Sequence, residues 1–242
     1  MHKLDRTAIA APVCLEGYDY RTHAWADLNQ DPLGRACQRQ VRLALQRMQG
    51  QQVATDDADD EAYVITGLRC AYCESQIFYG GHIEHFRRKN RRLPDAYPEL
   101  TFTWANLFLA CGSTEHCGHY KDRPGAAPYD PDELIKPDEH DPEGYLYFHS
   151  SGEVRVRKRH GMPVEDSRRG AETIRVFNLD CGHLRGARRK VLKKYLGSAP
   201  NILDELMTLD AGDRRDYASM EVEATKWEPH STTIRHFFER LY

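Results

Sequence analysis

The sequence of 242 residues predicts an α+β fold in which helices surround a small, zinc-stapled ββα metal module. The first observation behind this fold class is two close pairs of cysteines that bracket a segment of aromatic and β-prone residues: Cys70, Cys73, Cys111 and Cys117. The second is that apolar residues recur at helical spacing before this segment and again in the last third of the chain. A chain of this length buries a sizeable core, as one large domain or two small ones.

Composition places the chain among soluble proteins. Apolar residues make up 40% of it and charged residues 29%, and no apolar run approaches the roughly 18 residues that a membrane span needs. The first residues lack the charged-then-apolar pattern of a secretory signal. Four of the seven cysteines fall in close pairs, which in a chain that is not secreted indicates metal ligation over disulfide bonds. We therefore expect a cytoplasmic protein.

The first predicted region, residues 1–60, combines a helix with an acidic linker. Apolar residues at helical spacing predict an amphipathic helix from Leu33 to Met48. The stretch from Gly50 to Asp60 is polar and acidic, which indicates a loop or linker. Tyr18 and Trp25 precede the helix, and we expect them to pack back on the core.

The second predicted region, residues 61–125, is the metal module. The Cys70-x-x-Cys73 spacing suits a tight knuckle turn. Gly80-Gly81 lies between the β-prone segments Ile77–Tyr79 and His82–Phe86, which predicts a hairpin. An apolar, aromatic stretch from Phe102 to Leu109 then leads to the second cysteine pair.

The third predicted region, residues 126–242, contains a loop, a hairpin and helices that pack on the module. The stretch from Pro124 to Pro142 is rich in Pro and Asp, which predicts an extended loop. Residues 145–149 and 153–157 alternate on either side of a Ser-Ser-Gly turn and predict a second hairpin. Helical spacing then returns in four segments: Ile174–Leu179, Leu184–Tyr195, Ile202–Leu209 and Thr232–Leu241.

Four thiolates are the preferred tetrahedral ligand set of structural Zn²⁺. The pairs Cys70/Cys73 and Cys111/Cys117 pin both ends of the intervening loop to one ion and so stabilise a small polar module. Buried cysteines without a ligand and an iron–sulfur cluster are the alternatives, and two close pairs favour zinc. The remaining cysteines look isolated in the sequence: Cys14, Cys37 and Cys181. Of these, Cys37 falls on the apolar face of the predicted helix and is assigned to the core.

The same module holds the side chains that hydrolysis of a phosphodiester needs, which are a base to activate water and ligands for a cation near the phosphate. His85 titrates near neutral pH and is the natural base. Glu84 supplies a hard oxygen ligand for Mg²⁺ or Mn²⁺, His119 can place an imidazole on the same ion, and Asn106 can hold the loop and orient His85. Neighbouring strand residues point to opposite faces, so a bulge is expected if Glu84 and His85 share one site.

The formal net charge of −3 argues against nucleic-acid binding through the whole surface, but the charge is unevenly distributed. A basic run begins two residues after His85. We expect its first members and a lysine just past the last cysteine to contact phosphate: Arg87, Arg88, Lys89 and Lys121. Three further histidines are assigned to the surface: His82, His116 and His140.

These motifs resemble the zinc-stapled form of the HNH endonuclease module. The resemblance rests on four segments: Cys70-x2-Cys73, Ile83-Glu84-His85-Phe86, Asn106-Leu107 and Cys111 to Lys121. More narrowly, they are similar to the PtuB-type HNH proteins, which accompany a PtuA-type ATPase in Septu and certain retron antiphage systems. One departure from the widespread motif is Gly118, which separates the final cysteine from His119.

The resemblance implies a ββα-metal active site. By it, His85 is the general base and His119 is a ligand of the catalytic divalent ion. Asn106 is the middle residue of the motif, and Glu84 stands where many members carry Asp. The implied cofactors are structural Zn²⁺ and catalytic Mg²⁺ or Mn²⁺, and the implied products carry a 5′-phosphate and a 3′-hydroxyl.

The leading hypothesis is therefore a divalent-metal-dependent endonuclease that acts on DNA in an antiphage complex with a PtuA-type ATPase. The chain has no Gly-x4-Gly-Lys-Ser/Thr phosphate loop, so control by ATP falls to such a partner. The resemblance also implies contact, through the complex, with a retron reverse transcriptase and its RNA/DNA product. Two alternatives stay open: an RNase that attacks host RNA such as tRNA, and a zinc-binding adaptor without catalysis.

Overall fold

The computed structural model describes residues 1–54, 63–78, 81–90 and 95–241, and within them the α+β class is confirmed. The helices are α1 (Pro32–Gln49), α2 (Cys117–Lys121), α3 (Val164–Phe177), α4 (Gly182–Ser198), α5 (Ile202–Thr208), α6 (Ala211–Thr225) and α7 (Ser231–Phe238). The strands are β1 (Gln51–Ala54), β2 (Tyr63–Thr66), β3 (His82–His85), β4 (Leu107–Ala110), β5 (Leu146–Phe148) and β6 (Val154–Val156). They form antiparallel pairs, β1 with β2, β3 with β4 and β5 with β6. Across these residues, every helix is too short or too polar to cross a membrane.

Helix α1 confirms the helix predicted from Leu33 to Met48. The Asp31 side chain caps its first turn and a proline follows, which is the chemistry that favours a helix start. Its last residue, Gln49, is fully buried. The Gln49 side chain accepts from the Leu109 N–H at 2.7 Å and donates to the carbonyl oxygens of Leu109 and Arg69 at 2.9 and 3.0 Å. Helix α1 is thereby hydrogen-bonded to the two segments that lead into the cysteine pairs.

The predicted loop from Gly50 to Asp60 is wrong in its first half. Gln51–Ala54 forms β1, and its four residues pair with β2. Residues 55–60, which include most of the acidic run, lie outside the described residues.

The hairpin predicted around Gly80-Gly81 is also wrong. Strand β3 pairs with β4, which places His85 opposite Leu107. Ile77, from the other half of the predicted hairpin, donates its N–H to the Leu68 carbonyl at 3.0 Å. Gly80 and the residue before it lie outside the described residues. The sheet that carries the histidines therefore joins segments that are far apart in the sequence.

The knuckle turn at the first cysteine pair is confirmed. Arg69 and Gln76 form an antiparallel bridge at its base. Glu74 adopts a left-handed φ of 64° and donates its N–H to the Cys70 carbonyl at 3.1 Å. Both cysteine side chains of the turn consequently face the interior, where they are fully buried.

The third region confirms the β5–β6 hairpin and three predicted helical segments, which correspond to α4, α5 and α7. The predicted segment Ile174–Leu179 catches only the end of α3, which begins ten residues earlier and ends at Phe177. The predicted loop from Pro124 to Pro142 contains only short 3-10 turns. Helix α6 was not predicted, and Ala218 is its one buried residue. One core draws on residues from all three predicted regions, and a smaller core joins α5, α6 and α7.

Cys14 and Cys37 are not isolated, which corrects the prediction. They form a disulfide with a Cα–Cα distance of 5.6 Å and so tie the segment before α1 to that helix. Cys37 is buried on the apolar face of α1, as predicted. Cys181 is a half-buried free thiol.

Candidate active site and metal centre

The four cysteine sulfurs converge on one point. Cys70 and Cys73 come from the knuckle turn, Cys111 follows β4 and Cys117 begins α2. The Sγ–Sγ distances are 3.7 Å for Cys70–Cys117 and 3.8 Å for Cys73–Cys111, and all four atoms lie within 4.8 Å of one another. A tetrahedral ion with Zn–S bonds of about 2.3 Å separates its sulfurs by about 3.8 Å. The four cysteines are thus spaced to hold zinc.

This spacing also decides between the alternatives for the cysteines. The sulfurs are too far apart for disulfides, in which they lie about 2.05 Å apart. An iron–sulfur cluster divides its four cysteines between two or four irons and so separates sulfurs on different irons more widely than the 4.8 Å limit found here. Hydrogen bonding from Cys117 and Cys70 lowers the pKa of Cys111 to about 6, which favours the thiolate that a metal binds.

His116, which was predicted to lie on the surface, is buried against the sulfurs. Its Nδ1 lies 3.2 Å from the Cys117 sulfur and 3.7 Å from the Cys111 sulfur. Burial opposes the charged ring, but hydrogen bonds to the cysteines outweigh it and raise the pKa of His116 to about 10. The imidazole is therefore a donor that compensates thiolate charge.

A buried arginine interacts electrostatically with Cys73 of the cluster. Arg188 from α4 is completely buried, and its guanidinium donates to the Gly152 carbonyl at 3.1 Å. Burial lowers the pKa of Arg188, while attraction to Cys73 and Glu74 raises it. Four thiolates around a divalent ion carry a net charge of −2, so a buried cation in their field favours the loaded cluster.

One face of β3 carries a cluster of imidazole and carboxylate groups. His82 and Glu84 are two residues apart and share that face because strand side chains alternate. The His82 Nε2 lies 3.2 Å from Glu84 Oε2, and the His119 ring stacks on His82 with 4.0 Å between centroids. His119 is exposed on α2. The assignment of His82 to the surface is therefore corrected, since its side chain is only 24% exposed and contacts both predicted ligands.

Lys121 holds the Glu84 carboxylate from inside the protein. Its Nζ lies 3.0 Å from Glu84 Oε1, donates to the His85 carbonyl at 3.1 Å and donates to Asp122 at 2.8 Å. Burial alone would raise the pKa of Glu84, but the attraction of Lys121 and His82 outweighs it and lowers the pKa to about 2. Glu84 is therefore a carboxylate at neutral pH.

Gly118 explains the departure from the widespread motif. A Cβ at this position would lie 2.3 Å from the Glu84 carboxyl carbon and 2.3 Å from Oε2. Only glycine leaves room for the carboxylate at the start of α2. His119 follows directly, and its ring stacks on that of His82.

His85 leaves β3 on the opposite face from Glu84. The register with β4 is unbroken, so the bulge expected between them is absent from this strand. The His85 Nε2 lies 2.9 Å from the Thr101 carbonyl and its Nδ1 lies 3.1 Å from Lys89 Nζ. A carbonyl only accepts and an ammonium only donates, so Nε2 carries the proton and Nδ1 presents its lone pair. Burial, aided by Lys89, lowers the pKa of His85 to about 3.

Asn106 fixes the chain that follows β3. Its Oδ1 accepts from the Arg87 N–H at 2.7 Å, and its Nδ2 donates to the carbonyls of Arg87 and Leu100 at 3.1 and 3.2 Å. The Phe86 N–H donates to the Asn106 carbonyl at 2.9 Å. This buried amide therefore holds the loop next to His85, and its side-chain bonds go to the backbone around His85 and not to the imidazole itself.

Two of the four cations expected to contact phosphate are buried. Arg88 is 6% exposed and pairs with Asp95 and Asp122, and Lys121 is 1% exposed. Burial leaves neither cation exposed to a phosphate backbone, which corrects the expectation for both. Arg87 is 25% exposed and pairs with Asp132, and Lys89 is half-buried against His85.

The predicted ligands of a catalytic ion fit an open site and not a closed one. Glu84 Oε1 is buried 3.0 Å from the Lys121 ammonium, so Oε2, which lies 3.2 Å from His82 Nε2, is the oxygen nearer to the histidines. Among the described residues, however, His82, Glu84 and His119 do not bring three ligand atoms within 4.8 Å of one another. Mg²⁺ typically takes one or two protein ligands and fills the remaining positions with water and phosphate. Glu84 supplies the oxygen ligand that Mg²⁺ and Mn²⁺ prefer, whereas the imidazole of His119 is a ligand more typical of other transition metals.

A second group of possible ligands in the described chain is Glu143, His236 and Glu239. The two carboxylates already pair with Arg235 and Arg157. His236 Nδ1 accepts from the Phe148 N–H at 2.8 Å. The group is therefore satisfied as a structural network that joins α7 to β5.

Comparison with known proteins gives one relevant similarity. No protein-family profile matches the chain. The chain is similar to a Septu protein PtuB from Bacillus mycoides (strain KBAB4), with 29% identity over 162 residues, which covers 58% of this chain and 52% of the relative. The chain thus spans about half the length of that curated relative. The similarity supports the PtuB-type resemblance of the sequence.

Sequence reasoning missed several residues of the site. His82 was detectable, because it is two residues from Glu84 on a predicted strand and must share its face. His116 adjoins Cys117, and such a neighbour of a metal ligand often donates to it. Trp25, whose ring lies 4.6 Å from the His85 ring at right angles, had no such signal. Its contact joins the predicted first region to the site.

Proposed function

We propose that this protein is a divalent-metal-dependent HNH endonuclease. The observation that supports it best is the setting of His85, whose Nε2 is committed to the Thr101 carbonyl while Nδ1 keeps a lone pair. The low pKa of His85, about 3, leaves the ring neutral at pH 7. A neutral imidazole with a fixed tautomer can accept a proton, but a general base works best when its pKa lies near the working pH. The proposal therefore requires the pKa of His85 to rise when Lys89 moves away from Nδ1.

In the proposed reaction, His85 Nδ1 takes the proton of the water that attacks the phosphorus. Lys89 covers Nδ1 and must leave it, and the negatively charged phosphate is the natural acceptor for its ammonium. Glu84 and His119 would hold the divalent ion, which would supply charge stabilisation at the phosphate and at the leaving 3′ oxygen. Because Glu84 and His85 lie on opposite faces of β3, this reaction requires the strand to twist or bulge when the substrate binds. Lys121 keeps the Glu84 carboxylate ionised and in place.

The cysteine cluster holds together the elements that carry this site. It joins the knuckle turn, the end of β4 and the start of α2, and β3 and α2 carry the proposed ligands. Zinc at the cluster fixes how α2 approaches β3 and therefore how His119 approaches Glu84. We assign it a structural role, because all four positions of a tetrahedral ion are taken by protein sulfurs.

We further propose that the enzyme acts in antiphage defence with a PtuA-type ATPase as its partner. The similarity to Septu protein PtuB supports this placement. DNA is the proposed substrate, and RNA is the second substrate that the assay must include. Co-purification with a co-expressed PtuA-type ATPase tests the partnership, and a chain that elutes alone when the ATPase is present contradicts it.

Replacement of His85 by Ala tests the nuclease assignment. The purified chain, alone and with its partner, is incubated with DNA and with RNA in Mg²⁺ or Mn²⁺. We expect H85A to lower cleavage about 10²- to 10⁴-fold, the range for a general base, while zinc content and Tm stay close to those of the parent protein. H160A is the matched control, because His160 is an exposed histidine of the described chain.

The H85A variant also tests the alternative that the protein is an adaptor without catalysis. That alternative is favoured by one observation: His85 Nδ1 and the Glu84 carboxylate are both covered by lysines. Cleavage that H85A leaves unchanged contradicts the nuclease proposal. Antiphage protection that survives H85A would assign the protein to an adaptor role.

A further inference from the structure

A cleft of about 770 Å³ opens directly beside His85. One wall is the turn from Tyr20 to Asn29, and the other includes Lys89, Asn90 and Thr101. This volume falls in the range of about 300–1,000 Å³ that ligand clefts typically have. The turn precedes α1 and lies outside the segment that resembles an HNH module.

Three residues that line this cleft contact the His85 imidazole. The Trp25 ring lies 4.6 Å from it, the Lys89 ammonium lies 3.1 Å from its Nδ1, and the Thr101 carbonyl lies 2.9 Å from its Nε2. The proposed base is therefore at the back of the cleft. A ligand that fills the cleft therefore contacts Lys89, the residue that covers His85 Nδ1.

The chemistry of the walls fits a planar ring joined to an anion. Trp25 and Tyr20 are half-buried aromatic residues that line the cleft. Lys89 contributes a cation, and within the described chain no carboxylate lies within ion-pair distance of its ammonium. An aromatic wall stacks with any nucleobase, and a cation nearby attracts the phosphate.

We propose that this cleft binds an unpaired nucleotide of the substrate, with its base against Trp25 and its phosphate drawn by Lys89 toward His85. The inference rests on the proposed nuclease function and specifies its substrate. A base inside a duplex is stacked on its neighbours and cannot reach a side chain in a cleft unless it leaves the helix. The protein therefore selects a single strand, a loop or a flipped nucleotide.

Binding of a nucleotide to the cleft also uncovers His85, the proposed general base. The Lys89 ammonium that pairs with a phosphate no longer donates to His85 Nδ1, so the lone pair becomes available where the substrate is bound. Lys89 is thereby a positioning residue that couples occupancy of the cleft to exposure of His85.

Tryptophan fluorescence and oligonucleotide binding test this inference without catalysis. In buffer without added divalent ions, the protein is titrated with an oligothymidylate and an oligouridylate of about 12 nucleotides, and with a duplex of the same length. We expect the single strands to quench tryptophan emission. W25F should remove that quenching, whereas the matched control W227F should retain it, since Trp227 lines a different cleft.

Affinities from fluorescence anisotropy give the second readout. We expect W25A to weaken single-strand binding roughly 5- to 100-fold, the loss of one base–aromatic stack, and W25F to weaken it less. We expect K89M, which keeps the length of the side chain and removes its charge, to weaken binding and to reduce its salt dependence. The parent protein should bind the duplex at least about tenfold more weakly than the single strand.

Equal affinity for duplex and single strand, or W25A and W25F affinities equal to that of the parent, overturns the inference, as does the absence of oligonucleotide binding. If His85-dependent cleavage persists in that case, the proposed function stands and only the substrate assignment fails. If binding through Trp25 is found and H85A changes no cleavage, the cleft is a nucleotide site and the nuclease assignment fails.

Discussion

Gly118 gives the sharpest test of how the site is built. The position lies in α2, where alanine normally stabilises a helix by about 1 kcal/mol relative to glycine. The surroundings predict the opposite sign. A Cβ would lie 2.3 Å from the Glu84 carboxyl carbon, whereas ordinary contacts of this kind are 3.4–4 Å. The carboxylate or the helix must therefore move by more than 1 Å in Gly118→Ala.

The magnitude follows from the two opposing effects. Overpacking of a buried site costs about 1–3 kcal/mol, and the gain in helix propensity offsets up to about 1 kcal/mol of it. We expect a net loss of about 1–2 kcal/mol in the free energy of unfolding, which is about 2–8 °C in Tm for a chain of this size. Displacement of Glu84 should also lower cleavage, because the carboxylate is the proposed ligand of the catalytic ion.

Thermal unfolding, zinc content and cleavage are compared between Gly118→Ala and Gly112→Ala. Gly112 is the matched control, because it directly follows Cys111 as Gly118 directly follows Cys117, and a Cβ there meets no atom within 4 Å. The control should keep its stability and activity. If Gly118→Ala is as stable and as active as Gly112→Ala, the carboxylate does not lie against α2 and the description of the site is wrong.

Three further predictions concern the metal, a buried ion pair and pH. Cys111→Ser should lower zinc content, measured by atomic absorption, and reduce Tm, whereas zinc retained at the parent level would contradict a four-sulfur site. Lys121→Met leaves the buried Glu84 carboxylate without its cation, so urea unfolding should show a loss of about 3–5 kcal/mol, and an unchanged midpoint would refute the ion pair. Burial, aided by Arg157, lowers the pKa of His236 to about 3. Below about pH 6.5 the unfolded chain therefore binds a proton at this histidine that the folded chain does not bind. The free energy of unfolding falls as the pH drops from about 6.5 toward 3. His236→Asn removes this contribution, and its stability deficit relative to the parent should shrink by about 1.4 kcal/mol per pH unit below 6.5; a constant deficit would contradict the low pKa.

The elements that the sequence predicted well are those with a local signal. Helix α1 has an apolar stripe and a capped start, so its ends were placed within a residue of those predicted. The β5–β6 hairpin has strict alternation around a short turn. Helix α6 shows the converse case. It buries only Ala218, so it has no apolar periodicity to detect, and its clearest start signal is the Asp210 cap.

The pairing of β3 could not be predicted from the sequence for a physical reason. The Gly80-Gly81 dipeptide is a local turn signal, and it favoured a hairpin with the preceding segment. The observed partner, β4, is brought to β3 by contacts that are distant in sequence, among them the bonds of Gln49 to Leu109 and of Asn106 to the chain after β3. A dipeptide preference is weak compared with a buried register that several elements share.

Charge was the least predictable feature of the site. Arg88 and Lys121 read as exposed cations in the sequence, since a basic run beside a suspected site suggests phosphate binding. In the structure Lys121 pairs with the buried Glu84 carboxylate and Arg88 pairs with Asp95 and Asp122, contacts that the tertiary fold creates. A basic residue near an acidic active site therefore has two possible partners, and burial decides which one it takes.

Alternation along β3 divides the chemistry of the site into two faces. Glu84 and His82 lie toward α2 and the proposed ion, whereas His85 faces Trp25 and the cleft. Each face is held by its own lysine, Lys121 for the carboxylate and Lys89 for the imidazole. The motif that resembles an HNH module runs from Cys70 to Lys121. It includes the proposed ligands of the ion but not the wall of the cleft formed by residues 20–29. The wall that would select the substrate comes from residues before α1, so the part of the chain that resembles a known module does not by itself determine what the site binds.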